Sequence, residues 1–194
     1  LFPSAGQACH AYCTYCFRWA QFIGDSDLKF AQKEAKYFFS YLREHEEVTD
    51  VLVTGGDPMV MRTKMLQKYL EPFCDSEFLP HIKTIRFGSK ALTFWPKRFT
   101  EGEDSDQLLA MFRRLISGGR HVAFMAHIGH PRELESPIFK KAVKRIQSTG
   151  AVIRSQAPLI AGFNDSADIW IQKWKQEVNL GIIPYYMFIA RDTG

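Results

Sequence analysis

Short β-rich runs alternate with amphipathic stretches along this chain, and that alternation limits its folds more than any other feature. Residues 50–54, 83–87, 121–126, 151–155 and 182–189 are apolar or β-branched runs, and Leu1 and Phe2 read as the tail of an earlier one. Helical patterns lie between them. Ser26 and Asp27 can cap a helix with Phe30, Tyr37, Phe38, Tyr41 and Leu42 on one face, and the next carries Met61, Met65, Leu66, Tyr69 and Leu70 inward. A helix over 106–117 stops at Gly118 and Gly119, and another opens at Ser136 and Pro137 and closes at Gly150. Asn164 and Asp165 lead a last helix through Ile169, Trp170 and Trp174, while 95–106 reads as a long polar loop. Consecutive βα units imply a parallel sheet. The alternation alone allows a doubly wound open sheet or a barrel, and both place ligands at the C-terminal ends of strands.

The 194 residues suit one domain, 1–194. A net charge of +4 is mild, and the cluster Lys140, Lys141, Lys144 and Arg145 reads as a solvated helix face rather than a nucleic-acid patch. No apolar run reaches membrane-spanning length. The chain starts without methionine, close to its cysteines, and stops in a polar turn, so it reads as truncated at both ends.

Three of the four cysteines, Cys9, Cys13 and Cys16, stand within eight positions of one another. Such clustering indicates a metal site in a reducing, cytoplasmic setting rather than a disulfide framework. A structural zinc closes its tetrahedron with four ligands, so a zinc reading must recruit His10 or the distant Cys74. Three thiolates on a four-iron cluster instead leave one iron open to an exogenous molecule.

Other candidates gather at predicted strand ends. Gly55, Gly56, Asp57 and Pro58 allow close backbone approach and offer a carboxylate, although Asp57 also fits as the cap of the following turn. Arg86, Ser89 and Lys90 surround the next strand end, where a cation can hold a carboxylate or form a surface ion pair. His127 and His130 end the fourth run, and no third ligand follows them at zinc spacing. The Gln156 amide can hydrogen-bond ribose hydroxyls or satisfy local backbone.

The Cys-x3-Cys-x2-Cys loop with Tyr15 before its last cysteine resembles that of radical S-adenosylmethionine enzymes. Together with Thr-Gly-Gly-Asp-Pro, Ile-Arg-Phe-Gly-Ser, His-Ile-Gly-His-Pro, Ser-Gln-Ala-Pro-Leu-Ile-Ala-Gly-Phe-Asn-Asp and Pro184-Tyr-Tyr, it is similar to the lysine 2,3-aminomutase group. The resemblance implies a partial (β/α)6 TIM-like barrel with a [4Fe-4S] cluster on Cys9, Cys13 and Cys16. It places S-adenosylmethionine against Gly55, Gly56, Asp57, Pro58, Arg86, Ser89, His127 and Gln156, with Tyr15 beside the adenine. Arg18 matches an arginine that grips a substrate carboxylate, a task suited to a planar, permanently charged fork. A small amino-acid substrate and a reducing donor such as flavodoxin or ferredoxin follow, and an oligomer is left open. Pyridoxal 5′-phosphate is expected of the whole protein, but the family's lysine for it lies beyond this chain, and its phosphate-binding residues upstream of the cysteines are absent.

One departure bears on specificity. Lysine-acting members carry an aspartate where this chain has Arg191, with Asp192 one residue late and turned to the other strand face unless a bulge intervenes. Arginine there would repel an ammonium and favour an acidic group or a phosphate. Two rival readings are a pyridoxal-independent radical enzyme acting on a peptide or RNA, and a non-catalytic, zinc-stabilised binding module.

Overall fold

Strands β1 (Asp50–Val53), β2 (Thr84–Ser89), β3 (His121–His127), β4 (Val152–Leu159) and β5 (Ile183–Ile189) form one parallel sheet in a computed structural model. The structure describes residues 1–16, 18–19 and 31–189. The strands lie in chain order, β1-β2-β3-β4-β5. A doubly wound sheet reverses direction midway, whereas an unbroken order winds one way, as in a barrel. The fold is a partial TIM-like barrel. Leu1 holds the position of a further strand: its amino group donates to Leu52 O at 2.9 Å and its carbonyl accepts from Thr54 N at 3.0 Å. These two bonds form a parallel bridge beside β1.

Strand alternation sorts the side chains. Val51, Val53, Ile85, Phe87, Val122, Phe124 and Ile153 join the core under the helices. Register then aligns Leu52, Arg86 and Ala123 on the opposite, concave face, with Gly88, Met125 and Arg154 next, and His127, Gln156 and Tyr186 nearest the strand ends.

The helices are α1 (Ala35–Glu44), α2 (Thr63–Leu70), α3 (Ala91–Phe94), α4 (Glu103–Ser117), α5 (Pro137–Gln147) and α6 (Ala167–Asn179). Several differ from the sequence reading. The candidate caps Ser26 and Asp27, and Phe30, fall outside the described residues, and α1 begins at Ala35. Its packed stripe is Ala35, Phe38, Phe39 and Leu42, while Tyr37 and Tyr41 face outward. Ser166 caps α6 by accepting from Asp168 N. Asn164 is instead fully buried, its amide donating to Gly129 O and Pro158 O at 3.0 Å each.

The expected loop at 95–106 contains a 3-10 turn, Pro96–Phe99, and the first residues of α4. Phe99 and Arg98 are buried there. Arg98 donates to Met59 O at 3.0 Å and Met61 O at 3.2 Å and pairs with Asp104 at 2.8 Å, which hides the charge that made the stretch look solvated. No helix of the described residues is long and apolar enough to cross a membrane.

Candidate functional site

The turn after β1 and the chain entering the cysteine loop are built against each other. Gly56 N donates to Gly6 O at 3.0 Å, and Asp57 N to Ala8 O at 2.9 Å. A Cβ on Gly56 would lie 2.2 Å from Ala8 O, and one on Gly55 would lie 2.5 Å from Gly6 O. The closeness that these glycines permit is therefore to the chain's own residues 6–8, which carry Cys9 to the C-terminal end of the sheet.

Asp57 fixes that turn from within. Its carboxylate accepts from Met59 N at 2.9 Å, from Ser89 Oγ at 2.7 and 3.0 Å, and from Lys90 N at 2.8 Å. The residue is 2% exposed, and burial pushes its carboxyl up despite these donors. Asp57 is the cap of the 3-10 turn Pro58–Val60, with Pro58 buried at its start. It also ties the β1 end to the β2 end through Ser89.

Cys9, Cys13 and Cys16 are free, partly exposed thiols. Cys9 Sγ accepts from Ala11 N at 3.3 Å, and Cys16 N donates to Cys13 O at 3.0 Å. Burial raises the Cys13 thiol, and the neighbouring Cys9 and Cys16 add to the rise while Tyr15 and Lys90 oppose it. Among the described residues, no three His, Cys, Asp or Glu side chains converge to hold one metal ion. The fourth ligands of the zinc reading are also elsewhere. His10 lies between Phe94 and Trp95, with Nε2 3.8 Å from Asp57 Oδ2. Cys74 packs against Gly118, at the end of α4 that precedes β3 and so at the opposite end of the sheet. A four-iron cluster needs a different arrangement, because each thiolate binds its own iron and the sulfurs stand wider apart.

Tyr15 leans from the cysteine loop onto β3, its hydroxyl 3.1 Å from His127 Nε2. Burial, reinforced by Lys90 and Lys173, pushes His127 down to about 3, and burial raises the Tyr15 phenol. Both groups are neutral near pH 7. Gln156 is the register partner of His127 on the same concave face. Lys90 is buried beside this group, its ammonium 3.6 Å from Glu133 Oε2 and 4.5 Å from the Phe94 ring centre. Arg18 donates to Gly55 O at 3.3 Å and lies 4.2 Å from the Phe2 ring centre.

The structure thus gathers Tyr15, Arg18, Gly55, Gly56, Asp57, Pro58, Ser89, His127 and Gln156 around the three cysteines. Arg86 is not among them. It sits beside Leu52, lower on the concave face, and its Nε donates to Asp50 at 2.8 Å. His130 caps the turn Pro131–Leu134, accepting from Arg132 N, and is no partner of His127 in a metal site. Glu133 escaped the sequence reading because nothing local separates it from a surface acid. The same holds for Lys173 and Glu177, which form a 3.1 Å ion pair that is fully buried behind β4, with Ser155 Oγ donating to Glu177 at 2.7 Å.

No family model matches the chain. Over 186 residues, 95% of its length, it is 34% identical to a protein of Aquifex aeolicus provisionally named L-lysine 2,3-aminomutase, and it covers 47% of that protein. It is 28% identical over 183 residues to the glutamate 2,3-aminomutase of Clostridioides difficile, with 94% of this chain and 40% of the relative covered. The chain spans about half the length of the curated relatives it matches, or less. Among solved structures it resembles Streptococcus suis SuiB, with a TM-score of 0.60 and 16% identity over 100% of this chain and 41% of SuiB. SuiB bound to S-adenosylmethionine gives a TM-score of 0.59 at 15% identity, over 98% of this chain and 41% of that one. These structural likenesses show a shared fold.

Proposed function

The chain belongs to the lysine 2,3-aminomutase-like family, and on that premise we propose that the full protein is a radical S-adenosylmethionine enzyme that shifts an amino group between adjacent carbons of an amino acid. The observation that carries this reading is the seating of the three-cysteine loop, through residues 6–8, on the Gly55-Gly56-Asp57-Pro58 turn at the C-terminal strand ends. The donor set fits a [4Fe-4S] cluster. It offers three soft thiols on one loop, and the adjacent His10 faces Asp57 rather than supplying a fourth ligand.

Cys9, Cys13 and Cys16 would hold the cluster. Gly55, Gly56, Asp57 and Pro58 would receive the amino end of S-adenosylmethionine, with the Asp57 carboxylate stiffening their turn through its three donors. The Lys90 ammonium, close enough to oppose the upward shift of the Cys13 thiol and to help hold His127 neutral, suits the cofactor's carboxylate. Ser89 holds Asp57 and the start of α3 in place. Tyr15, steadied by neutral His127, offers its ring to the adenine, and Gln156 offers its amide to the ribose. When bound, the cluster and S-adenosylmethionine supply a 5′-deoxyadenosyl radical able to take hydrogen from an unactivated carbon. Arg18 holds the substrate carboxylate, which fixes the carbon to be attacked. Pyridoxal 5′-phosphate belongs to this reading of the whole protein, bound through a lysine outside this chain, as does a reductant such as flavodoxin or ferredoxin.

The test uses full-length protein, reconstituted anaerobically with iron and sulfide and given S-adenosylmethionine, dithionite, pyridoxal 5′-phosphate and 15N-labelled amino acids. Carbon-13 and nitrogen-15 NMR should show label moved from the 2- to the 3-position of one amino acid, with the shift lost in Cys13→Ala. Formation of 5′-deoxyadenosine without a shift of any amino acid tested would reject the aminomutase assignment.

A further inference from the structure

Among the described residues, the cations held within this fold have polar partners, with one exception. Arg86 meets Asp50, Lys90 meets Glu133, Arg98 meets Asp104 and Lys173 meets Glu177. Arg120 is sheathed in backbone carbonyls, among them Phe73 O at 3.1 Å and Asp75 O at 2.9 Å. Arg154 has no hydrogen bond or ion pair among the described residues, and its recorded partner is the Tyr185 ring, 5.3 Å from Cζ to centroid.

Its position follows from strand alternation. Ile153 and Ser155 face the helices, the first in the core and the second bonded to Glu177 of α6. Arg154 therefore turns to the concave face, in register with Met125 of β3 and Ile183 of β5. Gln156 lies two residues further along the same face, about 7 Å nearer the strand ends. The pairing of β4 with β5 slips between Ser155 and Gln156, and Tyr185 is the residue left over at the slip, which brings its ring beside the guanidinium. At the same level of the barrel Gly88 presents no side chain.

A guanidinium resting on an aromatic face keeps its N–H edge available for a carboxylate, and that edge fits a carboxylate with two parallel bonds. We propose that Arg154 is an anion subsite inside the barrel that receives the side-chain carboxylate of an acidic amino-acid substrate. This rests on the aminomutase reading above, with Arg18 holding the α-carboxylate at the β1 side and Arg154 holding the distal one at β4. Arg154 is then a specificity-determining residue. It disfavours a substrate with a distal ammonium through like-charge repulsion.

The experiment measures binding of L-glutamate, L-aspartate, L-lysine and L-alanine by calorimetry to full-length protein, reconstituted and saturated with S-adenosylmethionine and pyridoxal 5′-phosphate. Wild type, Arg154→Gln and Arg154→Lys are compared, and EPR of the reduced protein is recorded for each. The expected result is at least about tenfold tighter binding of L-glutamate or L-aspartate than of L-alanine and L-lysine in wild type. Arg154→Gln should lose that preference and Arg154→Lys keep part of it, with unchanged EPR and circular dichroism. Acidic-ligand affinity unchanged in Arg154→Gln, or absent from wild type, overturns the subsite. A wild-type cluster signal indifferent to S-adenosylmethionine overturns the enzyme class instead, and the calorimetry still decides Arg154.

Discussion

Replacing Asp57 with alanine removes the acceptor of three buried donors, Met59 N–H, Ser89 O–H and Lys90 N–H, at 2.7 to 3.0 Å. Each donor left unpaired in the interior costs about 1–3 kcal/mol, and the losses are not additive. Part of the cost is offset, because the buried carboxylate is itself poorly solvated, as its raised pKa records. The net expectation is a loss of about 3 kcal/mol for Asp57→Ala. Asp57→Asn keeps one acceptor oxygen but sets an NH2 group against a donor, so it should lose about 2 kcal/mol. With a urea slope near 2 kcal/mol/M, alanine should lower the unfolding midpoint by about 1.5 M. The assay is tryptophan fluorescence of the iron-free protein in urea at pH 7. Leaving out the cluster and S-adenosylmethionine is deliberate, since a residue whose sole task is to contact the cofactor would leave the iron-free protein's stability intact. A loss under about 1 kcal/mol for Asp57→Ala would refute the structural role argued here.

Gly56→Ala drives a Cβ onto the Ala8 carbonyl, so residues 6–8 must withdraw from the turn. The variant should lose about 2 kcal/mol and bind less iron per chain after reconstitution, and wild-type iron content would contradict it. His127 is held down to about 3, so the folded protein keeps it neutral while the unfolded chain takes a proton below about pH 6.5. Its stabilising share is present above that pH and is lost as pH falls, by about 2 kcal/mol between pH 7 and 5. Asp57 and Glu177, with raised values, act with the opposite sign, so the share is read as the difference in urea midpoints between wild type and His127→Gln at the two pH values. Lys173→Met strands the buried Glu177 carboxylate and should cost about 3–5 kcal/mol, while the double variant Lys173→Met with Glu177→Leu should recover part of it in a double-mutant cycle.

The strands were legible because each is a compact apolar run whose period survives without tertiary information. Their order was not, since a doubly wound sheet and a barrel share the same local alternation, and only the register of β1 through β5 separates them. The phase of α1 went astray because tyrosine suits both a core and a surface, and Tyr37 and Tyr41 took the surface. At the site, the cysteine loop and the Gly-Gly-Asp-Pro turn announce themselves by type and spacing, but that each is the other's support depends on a contact across some fifty residues. Asp57 as a turn cap is a local signal, whereas its bonds to Ser89 and Lys90 come from the next βα unit. Arg86 looked like a ligand for want of its partner Asp50, which is visible only once β1 and β2 are paired. Buried Lys90, Lys173 and Glu177, and half-buried Glu133, carry residue types that a sequence assigns to solvent, and pairing is what allows them inside. Arg191 and Asp192 lie outside the described residues, and the specificity expectation attached to them stands apart from the case for Arg154.

The most direct test of the central claim is EPR of the anaerobically reconstituted, dithionite-reduced protein, recorded with and without S-adenosylmethionine and accompanied by iron and sulfide analysis. About four irons and four sulfides per chain on Cys9, Cys13 and Cys16 are expected, with a reduced-cluster signal that changes when S-adenosylmethionine is added. Stoichiometric zinc without sulfide, or a cluster signal unchanged by S-adenosylmethionine, would contradict that claim.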